Sequence, residues 1–169
     1  MRPSKIPVRK PAVNPQPVKK SLYERLGGVY VIAYVVDIFS DAILADNFVG
    51  RESPNPALQL WSVKKAPTRL AGLKHQRTDW LCQVAGGPQR YAPTREGPSG
   101  PLDLENAHCP LRLSSREFDR VAEILQETLQ KCGVGAQEVS EVLAAFSAHK
   151  LEVIFGSTGH GCPFAGQRV

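Results

Sequence analysis

The first 20 residues, MRPSKIPVRKPAVNPQPVKK, contain no acidic side chain. They hold six of the chain's 21 lysines and arginines, so the rest of the chain is near neutral, with 15 basic against 16 acidic side chains. A near-neutral body lacks the concentrated positive face that phosphate backbones require, so no nucleic-acid partner is expected. No run of about 18 apolar residues stands out, which predicts no transmembrane helix and no membrane partner. There is no CxxC or CxxH pair, no HExxH, no glycine-rich phosphate loop and no internal repeat. These absences argue against zinc modules, zincin proteases and nucleotide-binding α/β folds. Cys82, Cys109, Cys132 and Cys162 have no paired spacing. That favours free thiols in a reducing compartment and leaves a disulfide open.

What is present reads as helices. Hydrophobic residues make up 42% and charged residues 22% of the 169, enough for one soluble domain with a sizeable core. The arm, residues 1–20, has five prolines, too many for a helix. It reads as a disordered basic tail or, being acid-free and N-terminal, as a targeting segment. Ser21-Leu-Tyr-Glu24 is a capping box, and Gly27-Gly28 stops the short helix it starts. Residues 29–45 carry an apolar helical stripe of Ile32, Val35, Val36, Phe39 and Ile43. A loop over 46–56 precedes a helix over 68–85, ended by Gly86-Gly87-Pro88. Residues 88–103 read as irregular, and 103–108 as a short segment before Cys109-Pro110. Ser114 and Glu117 form a second capping box at the head of a helix that ends at Gly133. A last helix is expected over 136–155, followed by a loose glycine-rich tail over 156–169.

In that order, SLYERLGG (21–28), VVDIFSDAILAD (35–46), AGGPQRY (85–91), DLENAH (103–108) and EFDRV (117–121) resemble the landmarks of truncated (two-on-two) haemoglobins. The chain is most similar to group I or a nearby bacterial and algal branch. The resemblance spans residues 21–155, which makes that segment one globin domain. It implies an all-α fold, a two-over-two helical sandwich holding one haem b. It also gives a role to the lone histidine of 105–119: His108 falls at the proximal position, the protein's axial bond to haem iron. One protein ligand suffices there, because the porphyrin supplies four nitrogens. No CxxCH is present, so c-type attachment is not implied.

The distal side departs from the resemblance. A tyrosine commonly follows the helix-B phenylalanine in group I, but here Phe39 is followed by Ser40. The positions that often carry glutamines align with Leu73 and Arg77, with Gln76 between them. Lys74, beside Leu73 and Trp80, then stands as a candidate distal iron ligand, since burial disfavours the charged ammonium. The alternatives for Lys74 are a haem propionate or solvent, and His75 is a rival ligand. His149 lies near a position where some relatives bond a haem vinyl group, and otherwise faces solvent. His160 and Cys162 are too few to build a metal site. Phe39, Trp80, Phe118 and Phe146 read as cavity or core aromatics.

The implied function is binding of O2, NO or similar diatomic gases, with nitric oxide dioxygenation, nitrite or NO reduction, or gas and redox sensing as reactions. An NO-consuming enzyme would be fed by a reductase. A monomer in the cytoplasm is expected, or in a chloroplast if the arm is a targeting segment. A haem-free helical interaction protein derived from a globin is the competing class. A thiol redox partner using Cys82 and Cys109 is a third.

Overall fold

The structure, a computed structural model, describes residues 19–92, 96–97, 100–101 and 104–155. The sequence expectations for residues 1–18, for most of 93–103, and for the tail with His160 and Cys162 lie outside the described residues.

Helix α1 (Leu22–Arg25) starts on the predicted capping box. Glu24 N–H donates to Ser21 Oγ at 3.2 Å, and Ser21 N–H donates to Glu24 Oε2 at 2.8 Å. Gly27 and Gly28 then turn the chain with φ of +94° and +78°, a region open to glycine and costly to residues with a Cβ. Helix α2 (Gly28–Ala45) follows. Both glycine pairs close around one ring. The Tyr23 hydroxyl accepts from Val29 N–H at 3.1 Å, and a Cβ on Gly87 would lie 2.5 Å from Tyr23 Cδ2. Tyr23 N–H also donates to Ala85 O at 2.8 Å, which fastens α1 to the chain beyond the fourth helix.

Helix α2 corrects one expectation. Its 18 residues have a mean hydropathy of 1.8, long and apolar enough by composition to cross a membrane. In the structure it is a central core helix, burying Ile32, Val35, Val36, Phe39, Ser40 and Leu44. Its two charged residues, Asp37 and Asp41, are exposed and pair with Lys74.

After the 46–55 loop, α3 (Pro56–Leu60) begins with Asn55 as its cap and Pro56 in its first turn. A single π turn (Trp61–Lys65) joins it to α4 (Ala66–Val84). The helical run therefore starts at Pro56, earlier than the residue 68 that periodicity suggested. Pro67 lacks the N–H that would donate to the preceding turn, and the ladder shifts register just before it.

A two-residue antiparallel pair, β1 (Glu96–Gly97) and β2 (Gly100–Pro101), lies in the segment expected to be irregular. Then come α5 (Leu104–His108), a 3-10 turn (Cys109–Leu111), α6 (Ser115–Lys131), α7 (Ala136–Ser147) and α8 (Lys150–Phe155). The predicted helix over 136–155 is broken in two. His149 N–H reaches back only to Phe146 O, at 3.2 Å, a tight turn that redirects the chain.

Helix α2 packs along α4, α6 along α7, and α2 crosses α6, so two helical pairs form the sandwich. Ile32, Val36, Leu81, Ile124, Leu129 and Val142 belong to the core between them. Helix α5 leans on α8 at one end. Cys82 and Cys132 are free thiols, while Cys109 is disulfide-bonded, the alternative that the sequence left open. Burial pushes the Cys82 thiol up to about 11, so it is inert core packing.

Candidate functional site

Helix α5 has a single turn of spacing between Leu104 and His108, and that spacing fixes the histidine. His108 Nδ1 lies 2.7 Å from Leu104 O. A carbonyl only accepts, so Nδ1 carries the proton and Nε2 keeps its lone pair. Burial lowers the His108 pKa, the Leu104 bond raises it, and the nearby Arg77 charge lowers it, for a net fall. The ring is therefore neutral at physiological pH, with one nitrogen oriented and the other available to a metal.

The chain after His108 is held firmly. Cys109 is 2% exposed and disulfide-bonded. The 3-10 turn ends at Arg112, whose φ of +50° is unusual for a residue with a side chain. Asn55 braces this turn from the other side of the loop. Its Nδ2 donates to Leu111 O at 3.0 Å and to Glu117 Oε1 at 2.9 Å, while its Oδ1 accepts from Ala57 N–H at 3.0 Å. In the sequence Asn55 falls in the loop over 46–56. Its helix-capping signal with Pro56 was legible, but its reach across to residue 111 was not.

Arg77 projects from α4 toward α2. Its Nη1 donates to Ser40 Oγ at 2.9 Å, and its guanidinium carbon stands 5.6 Å from the centre of the Phe39 ring. Ser40 is fully buried and Phe39 is 6% exposed. The residue as a whole is only half-buried, but the guanidinium lies deep, and burial pulls its pKa down to about 10. It remains a cation at neutral pH. The structure thus brings Phe39, Ser40 and Arg77 together, within electrostatic reach of His108.

Lys74 goes elsewhere. Its Nζ pairs with Asp37 at 2.6 Å and with Asp41 at 2.7 Å. Burial lowers its pKa, but the bonds to the two aspartates outweigh that and raise it overall. Iron ligation needs the neutral amine, so the geometry favours the form that cannot ligate. His75, the rival ligand, is exposed and faces Asp79 at 3.4 Å. Leu73 and Gln76 are half-buried on α4, and Gln76 is engaged with a partner.

Three of the four aromatics singled out in the sequence meet in space, and Phe39 lies apart from them against Arg77. Trp80 meets Phe146 edge-on at 6.4 Å, and Phe118 stacks on Phe146 at 4.9 Å. His149 sits edge-on to Trp80 at 5.3 Å, with Nδ1 2.9 Å from Glu152 Oε2. It is a partly covered residue at the break between α7 and α8. A separate groove of about 480 Å³ runs between α6 and α7, past Gln130, Val139 and Leu143, none of which carries chemistry for His108. Among the described residues no three histidine, cysteine or carboxylate side chains converge as a metal site, so a metal held by His108 must bring its other ligands with it.

The profile of the bacterial-like globin family matches residues 21–155. The chain belongs to that family. The sandwich is similar to the 2/2 hemoglobin from Synechococcus sp. PCC 7002, solved in the cyanomet state with covalently attached haem. The TM-score is 0.62 at 28% identity, covering 80% of this chain and 99% of that one. Group 1 truncated hemoglobin of Tetrahymena pyriformis is 27% identical over 122 residues, 72% of this chain and 84% of that protein. Group 1 truncated hemoglobin LI410 of Chlamydomonas moewusii is 26% identical over 166 residues, 91% of this chain and 85% of that protein. Haem is the cofactor that goes with this family, and haem-based binding of small gas molecules is its general function. The donor set fits the group: a neutral histidine oriented through Nδ1, which leaves the lone pair on Nε2, and a buried cation within electrostatic reach.

Proposed function

We propose that this globin binds O2 and NO at a haem b whose proximal ligand is His108. The observation that carries the reading is the Nδ1 bond to Leu104, which leaves Nε2 free and fixes the ring plane. When bound, the haem supplies the iron for gas binding and redox chemistry. The chain's own part is to set axial ligation, polarity and access. On the distal side the reading uses Arg77 and Ser40 as the polar groups, flanked by Phe39, Leu73 and Trp80. It leaves Lys74 charged between Asp37 and Asp41.

Nitric oxide dioxygenation, in which NO and O2 give nitrate, suits this site better than oxygen storage. Neither the usual tyrosine nor the usual glutamines are there to hold oxygen, whereas a permanent cation is. That reaction needs electrons from a reductase, and the protein is a monomer in this reading. A cytoplasmic location is proposed, with a chloroplast the alternative if the arm is a targeting segment.

Purified protein supplied with haem should show a Soret band and a shifted band on adding carbon monoxide to the reduced form. It should then consume NO aerobically when a chemical or enzymatic reductant is present. No Soret band overturns the haem reading. A normal Soret band without NO consumption above that of free haem overturns the dioxygenase reading alone.

A further inference from the structure

Every carboxylate on α2 and α4 is committed away from Arg77. Helix α2 offers only Asp37 and Asp41, and both bind Lys74. Helix α4 offers only Asp79, which faces His75. Arg77 Nη1 instead donates to the neutral hydroxyl of Ser40, at 2.9 Å. Among the described residues no acidic side chain pairs with this guanidinium. A guanidinium has five N–H donors in a fixed fork, suited to an anion, and Ser40 uses one direction of it. A buried charge left without a counter-charge is costly, and cores rarely keep one without use.

The chemistry of the neighbours narrows the ligand. Phe39 lies against the guanidinium and Ser40 accepts from one Nη, so an anion would meet the remaining edge of the fork. We propose that Arg77, oriented by Ser40, makes the distal side of this site an anion site, selecting small monovalent anions such as nitrite over neutral ligands. The inference rests on the haem reading above and adds the charge class of the ligand.

The test uses the full chain in its ferric haem-bound form. Azide and nitrite, both anions at neutral pH, are titrated by absorbance beside imidazole, which is largely neutral at mildly alkaline pH. In Arg77→Met the dissociation constants for azide and nitrite should rise by about tenfold or more, the effect of losing a hydrogen bond to a charged group. The imidazole constant should move by much less. Arg77→Lys should recover part of the anion affinity, since the charge remains and the fork is lost. Ser40→Ala should weaken anion binding in the same direction by a smaller factor.

Equal shifts for azide and imidazole, or no shift for either, overturn the anion site. Haem loss in Arg77→Met with unchanged azide affinity in the remaining holoprotein also overturns it, and assigns the cation to a haem carboxylate. If Arg77→Met does not fold by circular dichroism, the comparison rests on Arg77→Lys, whose azide-to-imidazole ratio must still fall. The absence of a Soret band in the unaltered protein is a different result. It removes the haem reading itself.

Discussion

His108 Nδ1 and Leu104 O are 2.7 Å apart, one helical turn from each other on α5. The bond does two things at once. It settles the tautomer of the ring, and it ties the ring's orientation to the backbone of its own helix. An iron-bound histidine needs both, because a ring free to rotate loses the entropy that an oriented one has already given up.

His108→Gly should therefore retain little haem after gel filtration, while its far-ultraviolet circular dichroism stays helical. Adding imidazole to this variant should restore a Soret band, since a free ring can occupy the vacated space and supply the same nitrogen. Haem retention and a spectrum equal to those of the unaltered protein would place the axial bond on another residue.

Asp46 governs acid stability of the turn after α2. Its Oδ1 accepts from Phe48 N–H at 2.9 Å and Val49 N–H at 3.1 Å, and its Oδ2 accepts from Arg120 Nε at 2.9 Å. Burial raises the Asp46 pKa, but these three bonds outweigh it and the net shift is downward. A carboxylate with a lowered folded pKa stabilises the fold above its unfolded value of about 3.9, and that contribution is lost as pH falls through the folded value. Asp46→Asn should lower stability by about 1–2 kcal/mol at neutral pH, a drop of several degrees in melting temperature. The gap between variant and parent should narrow below about pH 4. A constant gap across that range would mean that the charge is not what Asp46 contributes.

Much of the fold was legible in the sequence because its helix starts are written chemically. Both capping boxes, at Ser21 and Ser114, form with their glutamates as read. The apolar stripe of α2 faces the core as its spacing requires, with Ile43 only partly covered. Three features were not legible. The π turn before Pro67 has no periodic signature, since it is a register slip rather than a pattern. The break at Ala148–His149 contains neither glycine nor proline, so nothing local announces it. The disulfide at Cys109 joins residues by tertiary proximity, which spacing alone does not encode.

The site was legible in part. His108 was singled out by the resemblance of DLENAH, ahead of a capped helix, to truncated haemoglobins, and the structure gives it an oriented, neutral ring. Arg77 was placed on the inner side of α4 by counting back from Gly86-Gly87, and it does turn toward Ser40. Lys74 was harder. Its neighbours on α4 suggested an inner face, but the two aspartates that attract it lie on α2, more than 30 residues earlier. Ion pairs across helices depend on how the helices cross, which no single helix's pattern reveals.

Gly87 tests how tightly the two glycine pairs hold Tyr23. A methyl group there would come within 2.5 Å of Tyr23 Cδ2 and 2.9 Å of Cys82 O. The ring cannot move aside without breaking the hydroxyl's bond to Val29 N–H. Gly87→Ala should cost about 1–3 kcal/mol, the usual range for overpacking a filled site. Tyr23→Phe removes the hydroxyl and should cost about 1 kcal/mol. In Gly87→Ala combined with Tyr23→Leu the clash is relieved, so the two losses should fall short of adding. Strict additivity in thermal melts would show that the two residues do not press on each other.

Lys74 separates two accounts of the distal side. Its ammonium lies between Asp37 and Asp41, and its side chain is 20% exposed. Partly exposed pairs of this kind are worth at most about 1 kcal/mol. Lys74→Ala should therefore lower the melting temperature only slightly. It should leave the ferric absorbance spectrum and the azide affinity unchanged, because the amine that departs was held by the carboxylates of Asp37 and Asp41. Lowering the pH from neutral to mildly acidic should likewise leave the parent's spin state unaltered on account of Lys74, whose raised pKa keeps it protonated throughout. The opposite outcome is easily recognised. If the parent is low-spin and Lys74→Ala is high-spin, with faster azide binding, the lysine leaves its aspartates when haem is present and takes the sixth position on the iron. That result would also predict weaker anion binding in the parent than in the variant, since the internal ligand must first be displaced. The azide titrations that test Arg77 therefore read both residues on one scale.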